Sequence, residues 1–189
     1  MTYSKEAQDV PLLLSALDYA AWVHSYAKRY QQALHTIEQA LPLLKQKPHT
    51  APLPSHLCGG VYSTLAVMQA KNGQEATISL GLAKETFFAA PSEEPRFVYT
   101  VDHRASGIIV NEAAVQYYQG KADRALDALS QVVDPEKLVA KMPLPERARI
   151  ETFNDMARPV LKSEHKQMER VIHFRRAALP RMMFSMVHG

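Results

Sequence analysis

The sequence predicts an all-α protein, built of antiparallel helix pairs stacked on one another, and three observations carry that prediction. First, the segment 30–41 has a near-twin at 122–133. In both, a small residue (Ala33, Ala125) is followed four positions later by a large aliphatic (Ile37, Leu129) and three positions after that by another small or medium apolar residue (Ala40, Val132). That spacing draws one narrow stripe along a helix, against which a second helix can lie closely, and its recurrence along a chain marks a stacked helical repeat. Second, prolines and polar clusters break the chain at 46–54, 89–96 and 142–145, leaving pieces of helical length. Third, 189 residues with 47% apolar and 22% charged side chains suffice for a buried core and argue against disorder.

The elements follow in order. Residues 12–27 form the first apolar-periodic run, with Asp9 as cap and Pro11 in the first turn. Residues 29–44 are its partner. The segment 46–54 carries three prolines, each of which removes a donor and restricts the residue before it, so no helix is expected there. Ser55 is then placed to cap a helix reaching Lys71, with Asn72-Gly73 as a left-handed stop, and 75–88 pairs with it. Residues 97–101 are the one β-looking stretch; with no mate in sight they are read as an extended linker, and no sheet is expected. Helices are predicted over 105–119 and 122–133 with a turn at Gly120, then over 146–157 and 164–178.

The whole chain, 1–189, reads as a single domain with 164–189 a degenerate terminal repeat and tail. Cys58 is the only cysteine, so no internal disulfide can form, and a cytoplasmic location is the natural expectation. The first residues lack a basic stretch followed by an apolar one, so no signal peptide is read, and no apolar run is long enough to span a bilayer. The net charge of +3 is uneven: from residue 158 onward seven Lys or Arg face two Glu, giving +5 there and −2 elsewhere. Such an end could meet nucleic acid, an anionic surface or an acidic partner, but a solvated helix face is the better reading. With only Phe174 interleaved among Arg170, Arg175 and Arg176, direct nucleic-acid binding is not expected.

The tight turns between paired helices fall near Lys28, Gly73, Gly120 and Ser163, 45, 47 and 43 residues apart. Each leads into a comparable second helix: Ala33/Ile37/Ala40, Ala76/Leu80/Ala83, Ala125/Leu129/Val132, and a weaker Met168/Ile172/Arg175. This pattern resembles the tetratricopeptide repeat (TPR), over about four units, with Lys28-Arg29-Tyr30 and Gly120-Lys121-Ala122 standing at the family's turn. The period departs from the usual value of about 34 residues, the excess lying in the proline-rich linkers, and Leu17 and Tyr62 stand where the family favours tryptophan. The long-period, proline-linked pattern is also similar to helical-repeat regions of bacterial helix-turn-helix transcription regulators. The resemblance implies a superhelix whose concave face is formed by the first helix of each pair.

Motifs for chemistry are scarce. The chain holds no phosphate-binding loop, no Gly-x-Gly-x-x-Gly, no His-Glu-x-x-His, no Gly-x-Ser-x-Gly and no Cys-x-x-Cys. His56 and Cys58 lie two apart and diverge on a helix, so a buried structural cysteine is the better reading. His35/Glu38 and Glu169/His173 are read as surface ion pairs, since a metal would need further ligands. Asp102-His103-Arg104 is sufficiently explained by helix capping. The expectation is therefore a protein that is not an enzyme, with no cofactor and no metal.

The repeat register instead places Trp22 and Tyr26 on the first inner helix, Ser63, Val67 and Lys71 on the second, Val110, Asn111, Tyr117 and Tyr118 on the third, and Phe153 on the fourth. Tyrosine and tryptophan give broad contact area at low rotamer cost, which suits recognition of a peptide or protein segment; each residue taken alone is better read as packing between helices, and only as a set do they make the groove the expected site. The function expected is peptide or protein binding in the concave groove, as the sensing or assembly part of a bacterial regulator. The alternative is a sensor of a small molecule or signal peptide coupled to transcription regulation. The apolar tail, with Met182, Met183, Phe184 and Met186, is expected to pack on a second copy of the chain as a homodimer; folding back on its own domain is the other outcome.

Overall fold

A computed structural model describes residues 9–45, 53–89, 105–134 and 139–141. They form helices α1 (Val10–Tyr26), α2 (Tyr30–Glu38), α3 (Leu41–Lys45), α4 (Ser55–Lys71), α5 (Thr77–Phe88), α6 (Ala105–Tyr118) and α7 (Ala122–Ser130). The predicted helices at 146–157 and 164–178, the linker at 97–101, Asp102-His103-Arg104, the turn at Ser163 and the basic end and tail lie outside the described residues.

Helix boundaries follow local chemistry. Asp9 caps α1, its Oδ1 accepting the Leu12 N–H at 3.0 Å, and Pro11 sits in the first turn, where a missing N–H costs nothing. At α4 the cap differs from expectation: Pro54 holds the N-cap position and Ser55 is the first helical residue. At α5 the Glu75 carboxylate accepts the N–H groups of Ala76 (3.0 Å) and Thr77 (2.8 Å), and the Thr77 hydroxyl as well. These bonds hold Glu75 down at about 2, the Thr77 side chain contributing most.

Two expected elements are corrected. The partner of α1 does not run unbroken to residue 44: it stops at Glu38 and resumes as α3, because Pro42 has no N–H to return to the Glu38 carbonyl and its ring would collide with it. Ala40 closes the gap with a tighter bond to Ile37 O at 3.0 Å and stays fully buried. Likewise α7 ends at Ser130 rather than running to 133. Val133 and Asp134 form strand β1, paired antiparallel with β2 (Val139–Ala140), Val133 opposite Ala140. A β-branched pair followed by Asp134-Pro135 disfavours helix.

Short connections turn α1/α2, α4/α5 and α6/α7 into three packed hairpins. Their turns share one geometry. Lys28, Gly73 and Gly120 take φ of 60°, 73° and 79°. In each turn this residue's N–H returns to the carbonyl three back, and the next N–H to the carbonyl five back: Lys28 to Ser25 and Arg29 to His24, Gly73 to Ala70 and Gln74 to Gln69, Gly120 to Tyr117 and Lys121 to Gln116. This is the Schellman arrangement, which satisfies carbonyls a helix end would otherwise leave unpaired.

The hairpins also follow one packing rule. The first helix of each later hairpin lies against both helices of the hairpin before it: α4 against α1 and α2, α6 against α4 and α5. The residue that ends the helix before each later turn reaches back to the preceding hairpin. Asn72 Nδ2 donates to Tyr30 O at 2.9 Å, and Gln119 Nε2 to Glu75 Oε1 at 3.4 Å. Lys84 of α5 pairs with Glu112 of α6 through both carboxylate oxygens, at 2.8 and 2.9 Å. One core runs through the first two hairpins and takes in Val115 of α6; another lies between α6 and α7. All nine stripe residues of α2, α5 and α7 and their flanks, Ala33/Ile37/Ala40, Ala76/Leu80/Ala83 and Ala125/Leu129/Val132, are buried.

Candidate functional site

The helices α1, α4 and α6 end at register-equivalent residues, Tyr26, Lys71 and Tyr118, so their C-terminal turns come together along one edge. The cation of Lys71 sits in the middle. Its Nζ lies 5.4 Å from the Trp22 ring centroid, 5.6 Å from that of Tyr30 and 5.4 Å from that of Tyr118, and donates to Ser25 Oγ at 2.6 Å. Ring faces carry negative quadrupole charge and helix C-termini negative partial charge, so both favour an ammonium here. Tyr26 extends the aromatic surface, its ring 5.8 Å from that of Trp22, and is exposed.

Beneath these rings lies a polar seam. Trp22 Nε1 donates to Thr64 Oγ1 at 3.1 Å, which fixes the indole across the α1–α4 contact. Thr64 in turn bonds to Asp18, a buried carboxyl whose Oδ1 meets no partner. Burial pushes Asp18 up to about 7 against the pull of the Thr64 hydroxyl. Two turns before Tyr118 on α6, Asn111 Nδ2 donates to Ser63 Oγ at 2.9 Å.

The residues singled out from the sequence thus separate into groups. Trp22, Tyr26, Lys71 and Tyr118 come together. Ser63 and Asn111 meet as a hydrogen-bonded pair, with Ser63 fully buried. Val67 is also fully buried and belongs to the core, so it offers no surface to a ligand. Val110 and Tyr117 pack against the core between α6 and α7, and Phe153 lies outside the described residues. Sequence reasoning passed over Ser25, Tyr30, Asp18 and Thr64. Tyr30 had a signal, since it follows the turn directly and so stands beside the C-terminal edge; Asp18 had one as the lone charged side chain within an apolar helix.

Among the described residues no three His, Cys, Asp or Glu side chains gather as a metal site. His56 is buried in α4 and Cys58 half-buried one position beyond Leu57. No described helix is long and apolar enough to cross a membrane. Comparison with known proteins finds no family model, no curated protein and no solved structure that matches this chain.

Proposed function

We propose that the chain is a tetratricopeptide-like repeat domain that binds a peptide or protein segment, without catalysis, on the face formed by α1, α4 and α6. The packing of each later first helix onto both helices of the preceding hairpin, and the three equivalent turns, support the repeat reading. The observation that carries the binding reading is the Lys71 ammonium held among Trp22, Tyr30 and Tyr118 where three hairpins meet. Rigid aromatics around a positioned charge give both contact area and orientation, the combination found at interface hot spots. An extended segment crossing this edge would touch three hairpins in turn. A place in a bacterial regulatory system rests on resemblance alone.

The test is selection of binders from a random peptide library on the intact protein, followed by calorimetry on variants. Lys71→Ala and Tyr118→Ala are each expected to weaken a selected peptide by about 2 kcal/mol, roughly thirtyfold, with the helical fold retained in circular dichroism. A library that yields no binder, or binders indifferent to both substitutions, would refute the assignment.

A further inference from the structure

The register that aligns the three turns also aligns the faces of the first helices. Tyr19 and Val23 of α1 correspond to Thr64 and Met68 of α4, and to Asn111 and Val115 of α6. In the later helices these positions face the hairpin before: Thr64 takes the Trp22 hydrogen bond, Met68 and Val115 are buried in the first core, and Asn111 bonds to Ser63. In α1 the same positions are open to solvent, Tyr19 at 47% and Val23 at 62% exposure, and no hairpin precedes α1 among the described residues. The residues there are apolar, unlike the polar outer face of a capping unit.

We infer that this face of α1 is a self-association surface, on which a second copy of the chain packs its own α1 across a two-fold axis. Charge decides for the second copy. Over its 17 residues α1 carries no Lys, Arg or Glu, and its one carboxyl, Asp18, is buried. A stripe without charge meets itself without like-charge repulsion, and a two-fold lets one stripe serve both protomers and close the assembly at two. The face is built for helix-on-helix contact, because its equivalents on α4 and α6 make that contact within the chain. Tyr19 and Val23 make none of the contacts around Lys71, although Tyr26 continues their stripe one turn on, so this surface adjoins the proposed peptide-binding face without sharing the residues tested below.

Sedimentation equilibrium on the full chain tests it. The weight-average mass is expected to rise from one protomer toward two between about 1 and 100 µM, as a small, apolar interface implies. Val23→Arg, and separately Tyr19→Arg, should hold the protein at the protomer mass across that range, with the thermal transition retained. Ile78→Arg, at an exposed apolar position on α5, should leave the association unchanged. Deletion of residues 181–189 separates this surface from the tail-mediated dimer that the sequence suggests: association through α1 survives the deletion. A wild-type chain that stays monomeric throughout overturns the inference. So does association that survives both α1 substitutions, or that is lost equally in Ile78→Arg or the tail deletion.

Discussion

Replacing Gly59 by alanine should destabilise the second hairpin, although alanine is the better helix former. Gly59 lies in α4 against the backbone of α5 at Ala83 and Phe87. A Cβ built there would stand 2.8 Å from Phe87 Cβ, 3.0 Å from Phe87 N and 3.1 Å from Ala83 O. Two of these three neighbours are backbone atoms, so relief requires moving α5 as a body. Alanine recovers about 0.5–1 kcal/mol of helix propensity. Overpacking against backbone costs about 1–3 kcal/mol, so the net loss should be about 1–2 kcal/mol. Gly81, in α5 of the same hairpin, is the control: a Cβ there meets nothing within 4 Å, and the propensity gain stands alone. In thermal unfolding followed by circular dichroism, Gly59→Ala should lower Tm by about 2–6 °C and Gly81→Ala raise it by about 1–3 °C. Equal, positive shifts for the two would show that α4 and α5 do not approach as described, and the close-packing argument would fail.

Further outcomes follow from the turns and the polar seam. Lys28 holds a left-handed conformation that costs a side chain about 1–2 kcal/mol, so Lys28→Gly should stabilise by about 0.5–1 kcal/mol in urea unfolding after glycine's own entropy is subtracted. Gly73→Ala and Gly120→Ala should each destabilise by about 1 kcal/mol. The Asp18 carboxyl, near 3.8 when unfolded and about 7 when folded, keeps its proton longer in the native state. Its contribution to stability therefore falls as pH rises from about 4 to 7 and is flat above. Asp18→Asn should gain on wild type across that window, reaching roughly 2–4 kcal/mol above pH 7; a difference that does not vary with pH would refute the assignment. Trp22→Phe keeps an aromatic ring but removes the pyrrole part of the indole with its bond to Thr64, and should cost at least about 1 kcal/mol of stability.

Much of the fold was legible because it rests on local chemistry. The small–large–small stripes were readable as buried faces, and all nine residues are buried. Gly73 announced a left-handed stop and Gly120 a turn, and the repeat spacing brought Lys28 into line although lysine gives no such signal by itself. Where reading failed, competing local terms were close in size. Pro42 interrupts the second helix while Ala40 preserves its packing, so the stripe looked continuous. Val132 and Val133 stay buried whether they close a helix or open a strand pair, so hydrophobicity could not distinguish the two.

The candidate site was harder to read because it depends on angles between hairpins. Tyr26, Lys71 and Tyr118 share a register position and could be aligned by counting. Val67 shares the register position of Trp22, yet it is sealed in the core of the first two hairpins, where its short branched side chain stays. Tyr30 joins the site only through the tight turn that folds α2 back beside α1. The Asp18–Thr64–Trp22 seam joins residues 42 or more positions apart, a contact that no local pattern encodes.

Trp22 is the single tryptophan of the chain, so its indole gives one unmistakable signal in a nitrogen-15 correlation spectrum. Titrating a library-selected peptide into labelled protein and following that resonance with the backbone of Lys71 and Tyr118 is the most direct test of the proposed binding face. The account predicts that these three signals shift together and saturably, while those of Ile78 and Leu82 on α5 stay in place. Saturable shifts confined to α5, with the Trp22 indole unmoved, would contradict it.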